Sequence, residues 1–142
     1  MWQRIQTLYL IGAILLQWGC LFVPVGKLQG AAGKHISIYG DVAGIEALLL
    51  SAIITIGAVT AILKFKNRKS QMKICSFVII VAIVSLITTI VQLVLFAQAS
   101  TATPQIYYWM AILPILVITM VALAKRAIHK DDELVRSSNR LR

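Results

Sequence analysis

Four long apolar runs constrain the fold of this chain more than any other feature of its sequence. Each run has 19 to 24 residues, and an α-helix needs about 20 to cross about 30 Å of hydrocarbon. Glu46 is the one charged residue within them. A membrane barrel would instead show shorter segments of alternating polarity. The sequence therefore predicts four transmembrane helices, at about Ile5–Val25, Val42–Leu63, Ile74–Ala97 and Ile106–Ala124.

The composition excludes the common soluble classes. Hydrophobic residues make up 59% of the 142 residues and charged residues 13%, against about 45–50% and about 25% in soluble domains. So many apolar residues exclude intrinsic disorder, and so few charges cannot cover a water-exposed surface. The first run is longer than the roughly 7–15-residue apolar core of a cleaved signal peptide, so we expect it to remain as a helix. We expect one membrane domain over residues 1–142.

The distribution of lysine and arginine predicts the orientation of that domain. If the four runs cross the membrane, twelve of the 14 basic residues lie on one side and two, Lys27 and Lys34, on the other. The basic side is the cytoplasmic side by the positive-inside rule, which places both termini in the cytoplasm. The net charge of +9 then indicates the lipid bilayer as a partner. Nucleic-acid binding is disfavoured, because the basic link 64–73 carries no aromatic ladder or groove-reading motif.

Three polar residues within the runs form a candidate site. Glu46, Gln92 and Gln17 all lie in the outer half of the predicted bilayer. An ionisable residue there is a functional candidate, because its exposure to lipid is costly. One interpretation is a ligand or ion pocket beneath the aromatic segment Tyr107–Trp109. The other is structural: Glu46 reaches headgroup water, and the two amides form hydrogen bonds with neighbouring helices.

Small residues spaced three or four apart predict how the helices pack. Such stripes let two backbones approach closely, and short links favour antiparallel neighbours. We therefore expect an all-α membrane fold, an antiparallel four-helix bundle in which the stripes face one another; the alternative is that the stripes form contacts in an oligomer. We also expect Pro114 to kink the fourth helix. The stripes are Gly44, Ala47, Ser51, Thr55, Ala58 and Ala61 in the second run, and Ala82, Ser85, Thr89 and Gln92 in the third.

Two segments outside the runs also carry structural signals. Ile36–Tyr39 alternates β-branched and aromatic residues with others, which is typical of a strand. We expect it to pair with Val25–Gln29 as a short β-hairpin on the outer surface. Lys125–Val135 contains neither glycine nor proline, so we expect the fourth helix to continue into the cytoplasmic tail, residues 125–142.

Three segments, Gln3–Leu10, Lys66–Lys73 and Asp132–Arg142, carry motifs that occur in order along the whole chain. They resemble an uncharacterised family, a domain of unknown function in small four-span inner-membrane proteins from Bacteroidota. The resemblance implies the bacterial inner membrane with both termini in the cytoplasm, and it supplies no catalytic residues. The polar residues of its motifs lie at the cytoplasmic ends. The resemblance therefore indicates a docking surface there, formed by Arg4, Gln6, Arg68, Gln71, Arg136 and Arg140.

Three classes of function remain. We expect a non-enzymatic scaffold or accessory subunit that docks a protein partner, or a second copy of itself, through its basic cytoplasmic face. The alternative is an oligomeric transporter of small molecules or ions that uses Glu46. An enzyme is the least supported class, because the sequence has no nucleophile–base pair, carboxylate pair or metal-ligand cluster. We therefore expect neither a cofactor nor a metal.

Overall fold

Four helices build the fold. The computed structural model describes residues 2–22, 26–28, 35–36, 42–65, 67–99, 104–106 and 111–140. The helices within these ranges are α1 (Trp2–Leu21), α2 (Val42–Leu63), α3 (Arg68–Ala99) and α4 (Ile112–Arg140). The predicted all-helical architecture is confirmed, with three short strands added in the links between helices.

The four helices surround one apolar core. α1 packs against α2 and α4, and α3 packs against the same two helices, so that consecutive helices are neighbours and α4 closes the ring against α1. The last turn of α1 shares a cavity with Ala47 near the start of α2 and Pro114 near the start of α4, which makes both helices antiparallel to α1. The core consists mainly of Leu10, Ala13, Ile54, Ala58, Ala61, Cys75, Val78, Ala82, Val117, Val121, Ala124 and Ile128.

Three of the helices are long and apolar enough to cross a membrane. The segments are Gly44–Leu63 in α2, Arg68–Leu95 in α3 and Ile112–Val135 in α4, whereas the apolar part of α1, Ile5–Leu21, is shorter. No more than 28% of each long segment is buried inside the bundle, and large apolar side chains such as Leu49 cover its outer surface. An apolar surface of this extent fits contact with lipid rather than water.

The helix bounds differ from the predicted spans at the ends of α3 and α4. α3 begins at Arg68 rather than residue 74, because the Asn67 side-chain oxygen accepts a hydrogen bond from the Ser70 backbone N–H at 3.2 Å and caps the helix. α4 continues to Arg140, so the predicted helical tail is confirmed and extended. Hydropathy predicts only the apolar part of a helix, whereas the helical hydrogen bonds of α3 and α4 continue into the adjacent polar sequence.

The start of the fourth helix was predicted too early. Ile106 lies in a strand, and α4 begins at Ile112. Pro114 therefore lies in the first turn of α4, where its missing N–H would have no partner within the helix. The expectation that Pro114 kinks the helix was wrong for this reason.

Three short strands connect the link between α1 and α2 with the link between α3 and α4, at one end of the bundle. β1 (Gly26–Leu28) lies between β2 (His35–Ile36) and β3 (Pro104–Ile106), and both pairings are antiparallel. Gly26 is opposite Ile36 on one side and Ile106 on the other. The rest of the predicted hairpin, including Ser37–Tyr39, lies outside the described residues.

Candidate functional site

Gln17 lies where three helices meet. Its side chain is 3% exposed, and its Nε2 donates hydrogen bonds to Ser51 Oγ on α2 at 3.2 Å and to Ser85 Oγ on α3 at 3.4 Å. One amide of α1 therefore ties two neighbouring helices together. Ser51 and Ser85 belong to the predicted small-residue stripes, and both are buried. Because both hydroxyls meet the same Gln17 amide, the prediction that these stripes face one another is confirmed at this level.

A small cavity lies beside the Gln17 amide. Its volume is about 20 Å³, which is the space of one water molecule. The Oε1 atom of Gln17 is buried and has no hydrogen-bond partner among the described residues. A single bridging water is the occupant that this volume and this unpaired acceptor allow. The polar residues on the cavity wall are Gln17, Cys20, Ser85, Thr88, Thr89 and Gln92.

The structure brings together two of the three residues in the predicted polar cluster. Gln17 and Gln92 line the same cavity. Glu46 is exposed and is not on the cavity wall, whereas its neighbour Ala47 is. Successive helical residues point about 100° apart, so the phase that turns Ala47 inward turns Glu46 outward. The aromatic segment 107–109 lies outside the described residues.

Two members of the predicted docking surface are buried instead. Gln6 and Gln71 are each only 4% exposed, so neither can contact a partner in this fold. Gln6 belongs to a face of α1 spaced four, three and four residues through Leu10 and Ala13 to Gln17, all of them buried. This spacing was visible in the sequence and could have identified Gln6 as a core residue.

Arg68, a third member of that surface, is paired within the chain. Its Nη2 atom lies 3.0 Å from Asp131 Oδ2, and its Nη1 donates to the Asp131 backbone oxygen at 3.3 Å. Both side chains are about four-fifths buried. The pair joins the start of α3 to α4, a role for Asp131 that sequence reasoning missed. The remaining members are Arg4, Arg136 and Arg140, whose side chains lie outside the described part of the chain.

Replacing Gln17 with leucine should lower the free energy of unfolding by about 1 kcal/mol, since interhelical hydrogen bonds in membrane proteins average about 0.6 kcal/mol each. The two serine hydroxyls can still donate to carbonyls of their own helices, which limits the loss. The measurement is reversible unfolding in mixed detergent micelles. Gln98→Leu is the matched control, because Gln98 is exposed near the end of α3. Equal stability of the two variants would contradict this role for Gln17.

Metal ligands do not converge in the described part of the chain, where no group of three His, Cys, Asp or Glu side chains could hold an ion.

Searches of curated proteins and of solved structures found no match to this chain. The family described as Domain of unknown function (DUF4293) matches residues 2–141, almost the entire sequence, and the chain therefore belongs to that family.

Proposed function

We propose that this protein is a non-enzymatic scaffold or accessory subunit of the bacterial inner membrane. In this proposal it crosses the bilayer four times with both termini in the cytoplasm, and it docks a protein partner through the basic end of the bundle. The short sheet then lies at the outer surface. The observation that carries the proposal is the pair of exposed apolar side chains, Leu134 and Val135, beyond the uncharged run of α4 that ends at Ala124.

The packing of α1 supports a fourth crossing. The helix has 20 residues, which extend over about 30 Å. It packs against two helices that are long enough to span a bilayer. Its outward side chains, such as Leu8 and Leu15, are apolar and more than two-thirds exposed. A helix with such a surface is stable beside the other three in lipid.

The interior of the bundle favours a scaffold over a transporter. The Gln17 cavity holds about one water molecule, which is too little for a metabolite. Glu46, the residue that a transporter was predicted to use, is exposed on α2. A transport path through Glu46 would therefore need a second copy of the chain to enclose it.

The docking surface that we propose is the exposed face of the α4 extension, defined as residues 125–140. Leu134 and Val135 are 49% and 42% exposed, and they follow the charged residues Asp131–Glu133 on the same helix. Exposed apolar side chains next to so many charges are more stable when a partner covers them. The link 64–73 and the extension carry ten of the 14 basic residues, so the partner is expected to be acidic.

Site-specific photocrosslinking in native membranes tests this surface. A photoreactive residue at Leu134 should yield one defined adduct, which is lost when Arg136 and Arg140 are both changed to alanine. The same group at Gln98, near the opposite end of the bundle, is the control and should yield no such adduct. Glu46→Gln should leave the adduct unchanged. The scaffold proposal fails if Leu134 gives no adduct while Glu46→Gln abolishes a measurable solute flux.

A further inference from the structure

A groove of about 400 Å³ runs along the outside of the bundle between α2 and α3. It is separate from the Gln17 cavity and shares no residue with it. Its wall is almost entirely apolar, and a single lysine contributes the charged group. The lining includes Ile53, Ile56, Gly57, Thr60, Lys73 and Phe77.

The groove lies over the close contact between α2 and α3, with Gly57 among its lining residues. Ile53, Gly57 and Thr60 are spaced four and three residues apart and share one face of α2. A Cβ at Gly57 would meet the buried Val78 side chain, so α2 and α3 approach closely beneath the groove. On its wall, Ile56 is 63% exposed and Phe77 54% exposed. The groove therefore opens outward, toward the position of lipid, rather than into the protein core.

The depth of the groove matches one leaflet of a bilayer. Ile53 is near the middle of the apolar segment Gly44–Leu63, and Thr60 is near its end. Their separation of seven residues extends over about 10 Å, within the roughly 15 Å thickness of one hydrocarbon leaflet. Lys73 is the last residue before the apolar run of α3, so its ammonium group lies at headgroup level.

The charge at the mouth of the groove is entirely positive. Lys69 is four residues before Lys73 and shares its helix face, and Lys64 follows the end of α2. All three lysines are exposed. No carboxylate lines the groove, and the ion pairs among the described residues involve other side chains. A phosphate group at this level would therefore meet cations without competition from an internal acid.

We propose that this groove binds an anionic phospholipid from the leaflet at the basic end of the bundle. One acyl chain lies over Gly57 between Ile56 and Phe77, and the phosphate contacts Lys73. An anionic headgroup fits better than a zwitterionic one, because the latter would bring a cation to a lysine-rich site. The inference needs only that α2 and α3 cross the bilayer, and it does not depend on a protein partner.

Native mass spectrometry of the full chain in detergent tests the proposal, with phosphatidylglycerol and phosphatidylcholine of identical acyl chains as probes. The wild type should retain phosphatidylglycerol preferentially. Lys73→Gln should weaken phosphatidylglycerol binding about fivefold, the effect of one cation at an anionic surface, and Lys73→Arg should restore it. Ile56→Trp, which obstructs the groove, should weaken binding of both lipids.

Arg126→Gln provides the matched control. Arg126 is exposed on α4 outside the groove, and its replacement also removes one positive charge from the basic end. This variant should retain wild-type lipid binding. Equal losses in Lys73→Gln and Arg126→Gln would overturn the site in favour of diffuse attraction, as would equal retention of the two lipids by the wild type. Crosslinking at Leu134 is measured separately, so failure of the docking surface would not be mistaken for failure of the groove.

Discussion

Replacing Gly57 with alanine should destabilise the bundle by about 1–3 kcal/mol, the usual cost of an added methyl group in a well-packed core. A Cβ atom at this position would lie 2.5 Å from Cγ2 of Val78 on α3. Val78 is fully buried, and its β-branched side chain has one strongly preferred rotamer in a helix. The clash can therefore be relieved only by moving α2 and α3 apart. The measurement is the free energy of unfolding in mixed micelles.

Two comparisons isolate the steric cause. Gly12→Ala is the matched control, because a Cβ there meets nothing within 4 Å, and its higher helix propensity should make it neutral or stabilising by up to about 1 kcal/mol. The double variant Gly57→Ala, Val78→Ala should be more stable than the sum of its single effects, because Val78→Ala removes the Cγ2 atom that the added methyl group would meet. Additive effects, or equal losses at Gly57 and Gly12, would show that the contact does not limit packing.

The close approach at Gly57 illustrates what the small-residue pattern could and could not predict. The predicted α2 stripe ran through Ser51, Thr55 and Ala58, and two of these residues are fully buried. Thr55 instead lies at the rim, where its Oγ1 accepts a hydrogen bond from Trp18 Nε1 at 2.9 Å. Gly57 was not in the stripe. A helix with two neighbours has more than one packing face, and a single stripe identifies only one of them.

The polar residues show that hydropathy predicts how deep a residue lies along its helix but not which way its side chain points. Hydropathy placed Gln17 and Glu46 at comparable depth, but the helix phase turns the first inward and leaves the second exposed. The assignment of Gln6 and Gln71 to a docking surface came from the family resemblance, which gave no helix phase either, and both residues are buried. The direction of a polar side chain is predicted by its spacing from apolar residues on the same helix face, rather than by the polar residue itself.

The family and the long helices could be predicted from the sequence, because both depend on patterns that extend over many residues. The resemblance to a family of unknown function is confirmed by the match over residues 2–141. The pairing of Gly26–Leu28 with Pro104–Ile106 was not accessible. Strands of three residues are too short to show alternation, and their partners are separated by two helices in the sequence.

Asp131→Ala should lower the free energy of unfolding by about 1–2 kcal/mol, because it leaves the largely buried Arg68 guanidinium without its carboxylate. This value lies below the roughly 3–5 kcal/mol for breaking a fully buried charge pair, since both side chains retain about a fifth of their exposure. The loss should concentrate at the basic end, where Arg68 joins α3 to α4. Hydrogen exchange of the α4 extension, which should become faster, locates the effect.

Glu133→Ala is the matched control, because it removes one carboxylate from the same helix at an exposed position. Its own contact, with His129 at 3.5 Å, lies at the surface and should contribute little. The exchanged pair Arg68→Asp, Asp131→Arg should recover part of the stability lost in Arg68→Asp alone, because the single variant opposes two carboxylates whereas the exchange restores attraction. An aspartate at residue 68 also lies in the first turn of α3, where the helix dipole favours negative charge. If the exchange is no more stable than Arg68→Asp alone, the pair does not hold these two helices together.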